Sequence, residues 1–276
     1  MKTIDKDVLA GYNAGREKDR LHKGFGLIEF ERTKEILRQQ LPPAPAVIYD
    51  IGGGYGEYSY WLAALGYDVY LYDISEKNIE MSYEFGKECG IELKCAEVAD
   101  ARCIDRPNAS ADAILLFGPL YHIIDYAERQ LCLKECYRLL KSCGLLFTAA
   151  ITCYATTLKY VASYDKNELL DNMDFYKMLE RTVKTGIHTK KPMGLSYFHK
   201  PCELKSEIEA AGFTNTDIRG VIGPCWLIPN LDELWKDETK RESIMRVVRM
   251  CEKEESIMGL STHILSISRN RVTGAE

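Results

Sequence analysis

Two apolar spacings alternate along the first half of the chain. Val47-Ile48-Tyr49-Asp50-Ile51 is a short β-branched and aromatic run that reads as a buried strand, and Gly52-Gly53-Gly54-Tyr55-Gly56 cuts it off sharply. Tyr58, Trp61, Leu62 and Leu65 then recur at helical spacing, giving one stripe that packs back on a sheet before Gly66 stops it. Residues 68–73 alternate and predict the next strand. Ser75 is a good N-cap for a helix through Ile79, Met81, Tyr83 and Phe85 to Gly90, and residues 91–98 supply a third strand. Residues 111–117 are apolar almost throughout, as in a central parallel strand covered on both faces. A helix over 125–140 and a fifth strand over 144–151 complete a βα alternation that predicts an α/β fold.

The remainder departs from this rhythm. Ahead of the sheet stand two helical candidates, one over 7–21 with Tyr12 and Arg20, the other over 27–41, stopped by Leu41-Pro42-Pro43-Ala44-Pro45. Residues 152–200 interrupt the alternation with an aromatic-rich stretch, and an interruption that long is more often a functional cover than a passive loop. Pro201 opens a helix closed by Gly212, residues 213–219 form a strand, and 263–268 alternate as the last one. Between them, the 220–260 insertion carries one apolar face that packs in cis or against a second subunit. The expected layout is one domain over 1–276: cap helices (1–45), a cofactor-binding core (46–151), a substrate lid (152–200) and a C-terminal core (201–276) with its helical insertion.

Charge narrows the partners. The formal net charge of −5 with both signs interspersed leaves no basic footprint for nucleic acid. No apolar run approaches the length of a membrane span, and the N-terminal residues lack the apolar core of a signal peptide, so a cytoplasmic protein without membrane association is expected. The ten cysteines are scattered singly. Cys132 and Cys136 lie one helical turn apart but on an apolar side, which predicts packing and no metal site.

The chemistry begins at the glycine turn, where backbone N–H groups approach a ligand that a Cβ would block. Asp73 ends the second strand at the spacing of a carboxylate that holds ribose hydroxyls. A dinucleotide fingerprint wants a small residue where Glu57 stands; the spacing here is D-x-G-x-G-x-G through Asp50, Gly52, Gly54 and Gly56. In this the sequence resembles the class I S-adenosylmethionine-dependent methyltransferases. Arg138-Leu139-Leu140-Lys141-Ser142-Cys143-Gly144 and Ala210-Ala211-Gly212-Phe213 are similar to phrases of that family, and Gly118-Pro119-Leu120-Tyr121-His122 looks like its bacterial ubiquinone-biosynthesis group. The resemblance implies a Rossmann-like, doubly wound, mostly parallel seven-stranded sheet of order 3-2-1-4-5-7-6 with the last strand antiparallel. It also implies S-adenosylmethionine as cofactor, S-adenosylhomocysteine as product, and a cofactor site of Asp50, Gly52, Gly53, Gly54, Tyr55, Gly56, Asp73, Ile74, Asp100, Ala101, Phe117 and Gly118. Asp100 would face the adenine amino group, while Tyr12 or Arg20 would reach the methionine carboxylate.

Ligands of open α/β sheets sit beyond the carboxyl ends of the strands, which puts the acceptor near Tyr121 and His122. The Asn/Asp-Pro-Pro-Tyr/Phe phrase of base methylators is absent there, which favours a small-molecule acceptor. His122 is either a base or a hydrogen-bonding fixture, with His199 a second catalytic candidate. Tyr121, Tyr154, His188, Tyr197 and Trp226 are the expected substrate contacts. Methyl transfer to oxygen or nitrogen needs in-line alignment and exclusion of water. Two other readings stay open: a non-catalytic S-adenosylmethionine-binding module and a nucleotide-cofactor oxidoreductase.

Overall fold

The computed structural model describes residues 19–162, 172–189 and 194–271. Tyr12 and most of the first helical candidate lie outside the described residues; its described end runs into a single 3-10 turn, Arg20–His22. The strands are β1 (Val47–Ile51), β2 (Asp68–Asp73), β3 (Cys95–Val98), β4 (Ala111–Leu116), β5 (Leu140–Ile151), β6 (Ile187–His188), β7 (Ser196–Tyr197), β8 (Thr214–Gly220) and β9 (His263–Arg269). Seven of them form one sheet in the order β3-β2-β1-β4-β5-β9-β8, and β6 pairs only with β7. Adjacent strands from β3 to β5 run parallel, whereas β9 is antiparallel to both β5 and β8. Counted within the sheet alone, this is the expected 3-2-1-4-5-7-6.

The sheet's two-residue period sorts its apolar side chains onto two faces. Tyr49, Ile114, Leu116 and Leu146 pack in one core with residues of α4 (Tyr126–Leu139) and α7 (Pro201–Ala210). Ile48, Ala113, Leu115 and Phe147 pack in the other with residues of α1 (Gly26–Gln40), α2 (Glu57–Ala64) and α8 (Glu238–Cys251). The apolar face of the 220–260 insertion is therefore satisfied within the chain: Ile244, Met245 and Val248 are buried in that second core. Local signals set the helix ends. Ser75 accepts from the Asn78 N–H to cap α3 (Glu76–Cys89), and the left-handed Gly90 closes it. The aromatic-rich stretch contains α5 (Ala155–Ala162) and α6 (Met173–Thr185) before the small β6–β7 hairpin.

One ion pair fastens the end of this stretch to the sheet. Arg129 of α4 donates from Nε and Nη2 to the two carboxylate oxygens of Glu207 on α7, at 2.9 and 2.7 Å. Its Nη1 donates to the carbonyls of Ile123 and Ile124, and Tyr197 stacks on the guanidinium with its ring centre 3.7 Å away. Burial alone would raise the Glu207 carboxyl, but hydrogen bonds from Arg129 and His199 outweigh it and take it from an ordinary 4.5 down to about 2. A depressed carboxyl contributes stability that is complete above pH 4.5 and is lost as the pH falls towards 2. Replacing Glu207 with Gln leaves a buried guanidinium without its counter-charge, so unfolding in urea should show a stability loss of about 3–5 kcal/mol at neutral pH. The same variant should lose less further stability than the parent between pH 5 and pH 2; equal acid sensitivity would exclude Glu207 as its source.

Candidate functional site

The site forms where two loops meet beyond the carboxyl ends of β1 and β4. These strands are neighbours, with Ile51 opposite Leu116, so the turns that follow them converge. The turn after β1 runs through Gly52 and Gly54 with φ of 73° and 62°, in the left-handed region that favours glycine. A Cβ on Gly52 would lie 2.5 Å from Cδ of Pro119, and one on Gly118 would lie 2.9 Å from the Gly52 carbonyl oxygen. Around Gly54, by contrast, a Cβ would meet nothing within 4 Å. The inner half of the turn is thus packed against the second loop, while its outer half opens onto a cleft.

Four carboxylates stand along this cleft, those of Asp50, Glu57, Asp73 and Asp100. Asp73, at the end of β2, is 7% exposed. Its Oδ1 accepts from the Ser75 N–H and from Asn78 Nδ2, and its Oδ2 accepts from the Gly54 N–H at 2.9 Å, tying the second strand to the glycine turn. Asp50 is more deeply buried: Ser59 donates to its Oδ2 at 2.7 Å, and its Oδ1 has no hydrogen-bond partner. Burial first, then the nearby Asp73 charge, raise the Asp50 carboxyl, and the Ser59 hydroxyl only partly opposes them, leaving it at about 7. Asp100, beyond β3, is tied to the guanidinium of Arg102.

The rest of the wall is aromatic and aliphatic. Phe117 meets Tyr58 edge to face with ring centres 5.2 Å apart, and Tyr121 meets His122 at 4.6 Å. His122 ends the helical turn Pro119–His122, and burial pushes its imidazole down to about 4, so the ring is neutral at physiological pH. At the entrance, Arg20 is held by Glu29 through two hydrogen bonds, and His22 pairs with Glu57 at 2.5 Å.

Every described residue expected at the cofactor reaches this cleft except Gly56, which caps α2 in a left-handed conformation; His122 and Tyr121 reach it as well. The other expected substrate and catalytic residues do not line it. His199 is fully buried and faces Glu207, with Nε2 3.5 Å from Oε2. Tyr197 is spent on Arg129, and His188 stacks on Phe198 with ring centres 4.6 Å apart. The Trp226 indole donates to the Leu260 carbonyl at 2.9 Å, while Tyr154 packs in the small apolar cluster behind Tyr121. Sequence reasoning missed Leu21, Glu57, Tyr58, Ala99, Pro119 and Ile123 as cleft residues. Glu57 carried a signal nonetheless: a carboxylate at the first position of a helix beside a glycine turn faces whatever the turn holds.

The donor set discriminates between cofactors. A pyrophosphate laid on this turn would meet the carboxylates of Asp50, Glu57 and Asp73, while Arg20, the guanidinium that lines the cleft among the described residues, is already held by Glu29. S-adenosylmethionine instead brings an ammonium, a sulfonium, ribose hydroxyls and an exocyclic amine as donors or cations, with one carboxylate at its amino-acid end in place of the two phosphates of a dinucleotide. The residues present fit that group.

Comparison with known proteins agrees. Residues 49–148 match the family described as a methyltransferase domain. The ubiquinone biosynthesis O-methyltransferase of Caulobacter vibrioides is 30% identical over 115 residues, 42% of this chain and 43% of that enzyme, so this chain spans less than half of that relative's length. The enzyme of the same name from Xanthomonas axonopodis pv. citri is 25% identical over 194 residues, 70% of this chain and 72% of that one. An S-adenosylmethionine-dependent methyltransferase from Methanosarcina mazei shares the fold, with a TM-score of 0.56 at 17% identity over 86% of this chain and 98% of its own. Strand order, glycine turn and donor set agree with that match, and residues 49–148 are similar to the class I S-adenosylmethionine-dependent methyltransferase domains.

Proposed function

We propose that this protein transfers the methyl group of S-adenosylmethionine to a hydroxyl of a small aromatic molecule. The observation that carries this reading is the division of the cleft into an acidic floor beyond β1–β3 and a neutral, aromatic wall at Phe117, Tyr121 and His122. The cofactor supplies an activated methyl on its sulfonium. Asp73, tied to the glycine turn through the Gly54 N–H, receives a ribose hydroxyl on its carboxylate. The unpartnered Asp50 Oδ1 takes the amino-acid ammonium, and Asp100 the adenine amine. Leu21, Phe117 and Ile123 keep water from the reacting end.

His122 sets the acceptor class. It is a neutral hydrogen-bond acceptor whose conjugate acid titrates at about 4. Full proton transfer to it is uphill by about 8 kcal/mol from a phenol of pKa about 10, and by about 16 kcal/mol from an alkanol of pKa about 16. Such a base assists only an acceptor that is already fairly acidic, which favours an aromatic hydroxyl. The O-methyltransferase names of the relatives support the same choice. The charge balance of the chain and the acidic floor favour a small molecule over a polyanion such as nucleic acid.

Three outcomes test this reading. Asp73→Ala should weaken calorimetric binding of S-adenosylhomocysteine by about 10–100-fold, the worth of one or two hydrogen bonds to a charged group; unchanged affinity removes Asp73 from the ribose. Because Asp50 titrates at about 7 and the charged form receives the ammonium, S-adenosylmethionine should bind more tightly at pH 8 than at pH 6. That slope should vanish in Asp50→Asn, and persistence of the slope would assign it to another group. Finally, a screen of phenols and catechols should yield methylated product, and His122→Ala should lower turnover by about 10²-fold or more while leaving cofactor affinity within about threefold. Losses of equal size in both would make His122 a structural fixture.

A further inference from the structure

Asp100 is a poor candidate for a free acceptor until its partners are counted. Its Oδ1 accepts two hydrogen bonds from the same residue, the Arg102 N–H and Nε, both at 2.9 Å. Its Oδ2 accepts one, from Arg102 Nη2 at 2.5 Å. A carboxylate offers about four lone-pair sites. Oδ1 is full, and Oδ2 has one site left. The arginine that fills the others is itself fixed from behind: its side chain is 5% exposed, and its Nη1 donates to Glu128 Oε2 at 2.6 Å. Glu128 lies in the first turn of α4, where the Asp125 side chain accepts from its N–H, and α4 follows directly on the wall formed by Tyr121, His122 and Ile123. Arg102 therefore spans from the loop after β3 to the element that carries the opposite wall of the cleft.

We infer that Arg102, braced by Glu128, is the positioning residue that makes this cleft specific for a 6-aminopurine, by holding Asp100 so that one acceptor site faces the base. The inference rests on the placement of the adenine amine at Asp100 in the reading above. Its physical content is orientation and charge state together. A planar guanidinium engaging both carboxylate oxygens fixes the plane of the carboxyl group as well as its position, which a lysine ammonium does not. Burial would raise the Asp100 carboxyl, but the Arg102 hydrogen bonds more than offset this and hold it below the usual carboxylate range, so the group facing the base is always an acceptor. An exocyclic amine donates to the open site. A 6-oxo group offers only lone pairs there and meets a carboxylate that can neither rotate nor take up a proton to accommodate it.

The test is competitive and needs no methyl acceptor. Calorimetry compares S-adenosylhomocysteine with S-inosylhomocysteine, its 6-oxo counterpart, on the full chain. The parent protein should prefer the amino ligand by about 10–100-fold, the worth of one hydrogen bond to a charged group together with the penalty of opposed lone pairs. In Arg102→Met the preference should fall to about threefold or less, with loss of S-adenosylhomocysteine affinity smaller than loss of discrimination. Arg102→Lys should restore only part of the ratio. Glu128→Gln leaves Arg102 and Asp100 in place and loosens only the brace, so it should retain the fold and lower the ratio by a smaller factor; this variant decides the matter if Arg102→Met does not fold. An unchanged ratio in Arg102→Met, or in Glu128→Gln if that protein alone folds, overturns the role of Arg102 while leaving the cofactor reading intact. Equal affinity of the parent for both ligands overturns the placement of adenine at Asp100 and the inference with it. Binding of neither ligand overturns the cofactor reading itself.

Discussion

Where Gly52 and Gly118 approach, two backbones pass so closely that no side chain fits between them, and the geometry of the cleft follows from that contact. A Cβ on either residue would sit within 3 Å of the opposite loop. Because β1 and β4 are paired in the sheet, their following turns have to cross this gap, and glycine is the residue that lets them do so without parting the strands. Once the turn is pressed inward at Gly52, its outer half is left facing the cleft, with the Gly54 N–H bound to Asp73. The second strand is thereby drawn into the same site. One close approach thus brings together residues from the ends of three parallel strands.

The features legible in the sequence were those that depend on near neighbours. Apolar and β-branched runs, continuous at β4 and alternating at β2, predict the strands from β1 to β5, Ser75 and Gly90 bound a helix through their own backbone preferences, and the spacing from the glycine turn to Asp73 reflects the fixed size of a βαβ unit. Aromatic content in the 152–200 stretch was a weaker guide. Composition there reports that aromatic residues exist, not which way they face, and Tyr197 and His199 face a partner set that no local pattern discloses: Arg129 and Glu207, 78 residues apart in the chain. Trp226 is diverted in the same way, by a carbonyl 34 residues away. Glu57 shows the converse error. It was visible as the residue that breaks a dinucleotide fingerprint, yet a carboxylate excluded from one cofactor's pattern is also a positive feature of the site that remains.

The buried arginines divide the labour of the fold. Arg129 and Arg102 both lie on the flank of the sheet packed by α4, and both are almost inaccessible to water. Each satisfies its charge with a carboxylate and spends its remaining donors on other partners. Arg129 holds the carbonyls of Ile123 and Ile124, immediately after His122, whereas Arg102 holds the cleft residue Asp100. Buried ion pairs of this kind contribute little net stability compared with apolar packing, because desolvation cancels much of the attraction. Their value is geometric, since a forked donor fixes the direction of each group it binds. Cleft walls that rest on loops gain from such struts what strands obtain from the sheet.

The same contrast explains how a site with so much negative charge can handle a cation without quenching its reactivity. Carboxylates gathered at one end attract the cofactor and bind its periphery, but a carboxylate beside the sulfonium would stabilise the ground state, in which the positive charge is greatest, more than the transition state, in which it is dispersing. On the reading proposed here, the acids lie at the ammonium, ribose and adenine positions, and the acceptor end is lined by rings and a neutral imidazole. Aromatic faces interact with the sulfonium without neutralising it, and the low polarity there favours a reaction in which charge is dispersed. The depressed basicity of His122 is then part of the design of the wall: an imidazole that stayed protonated would place a second positive charge next to the methyl donor.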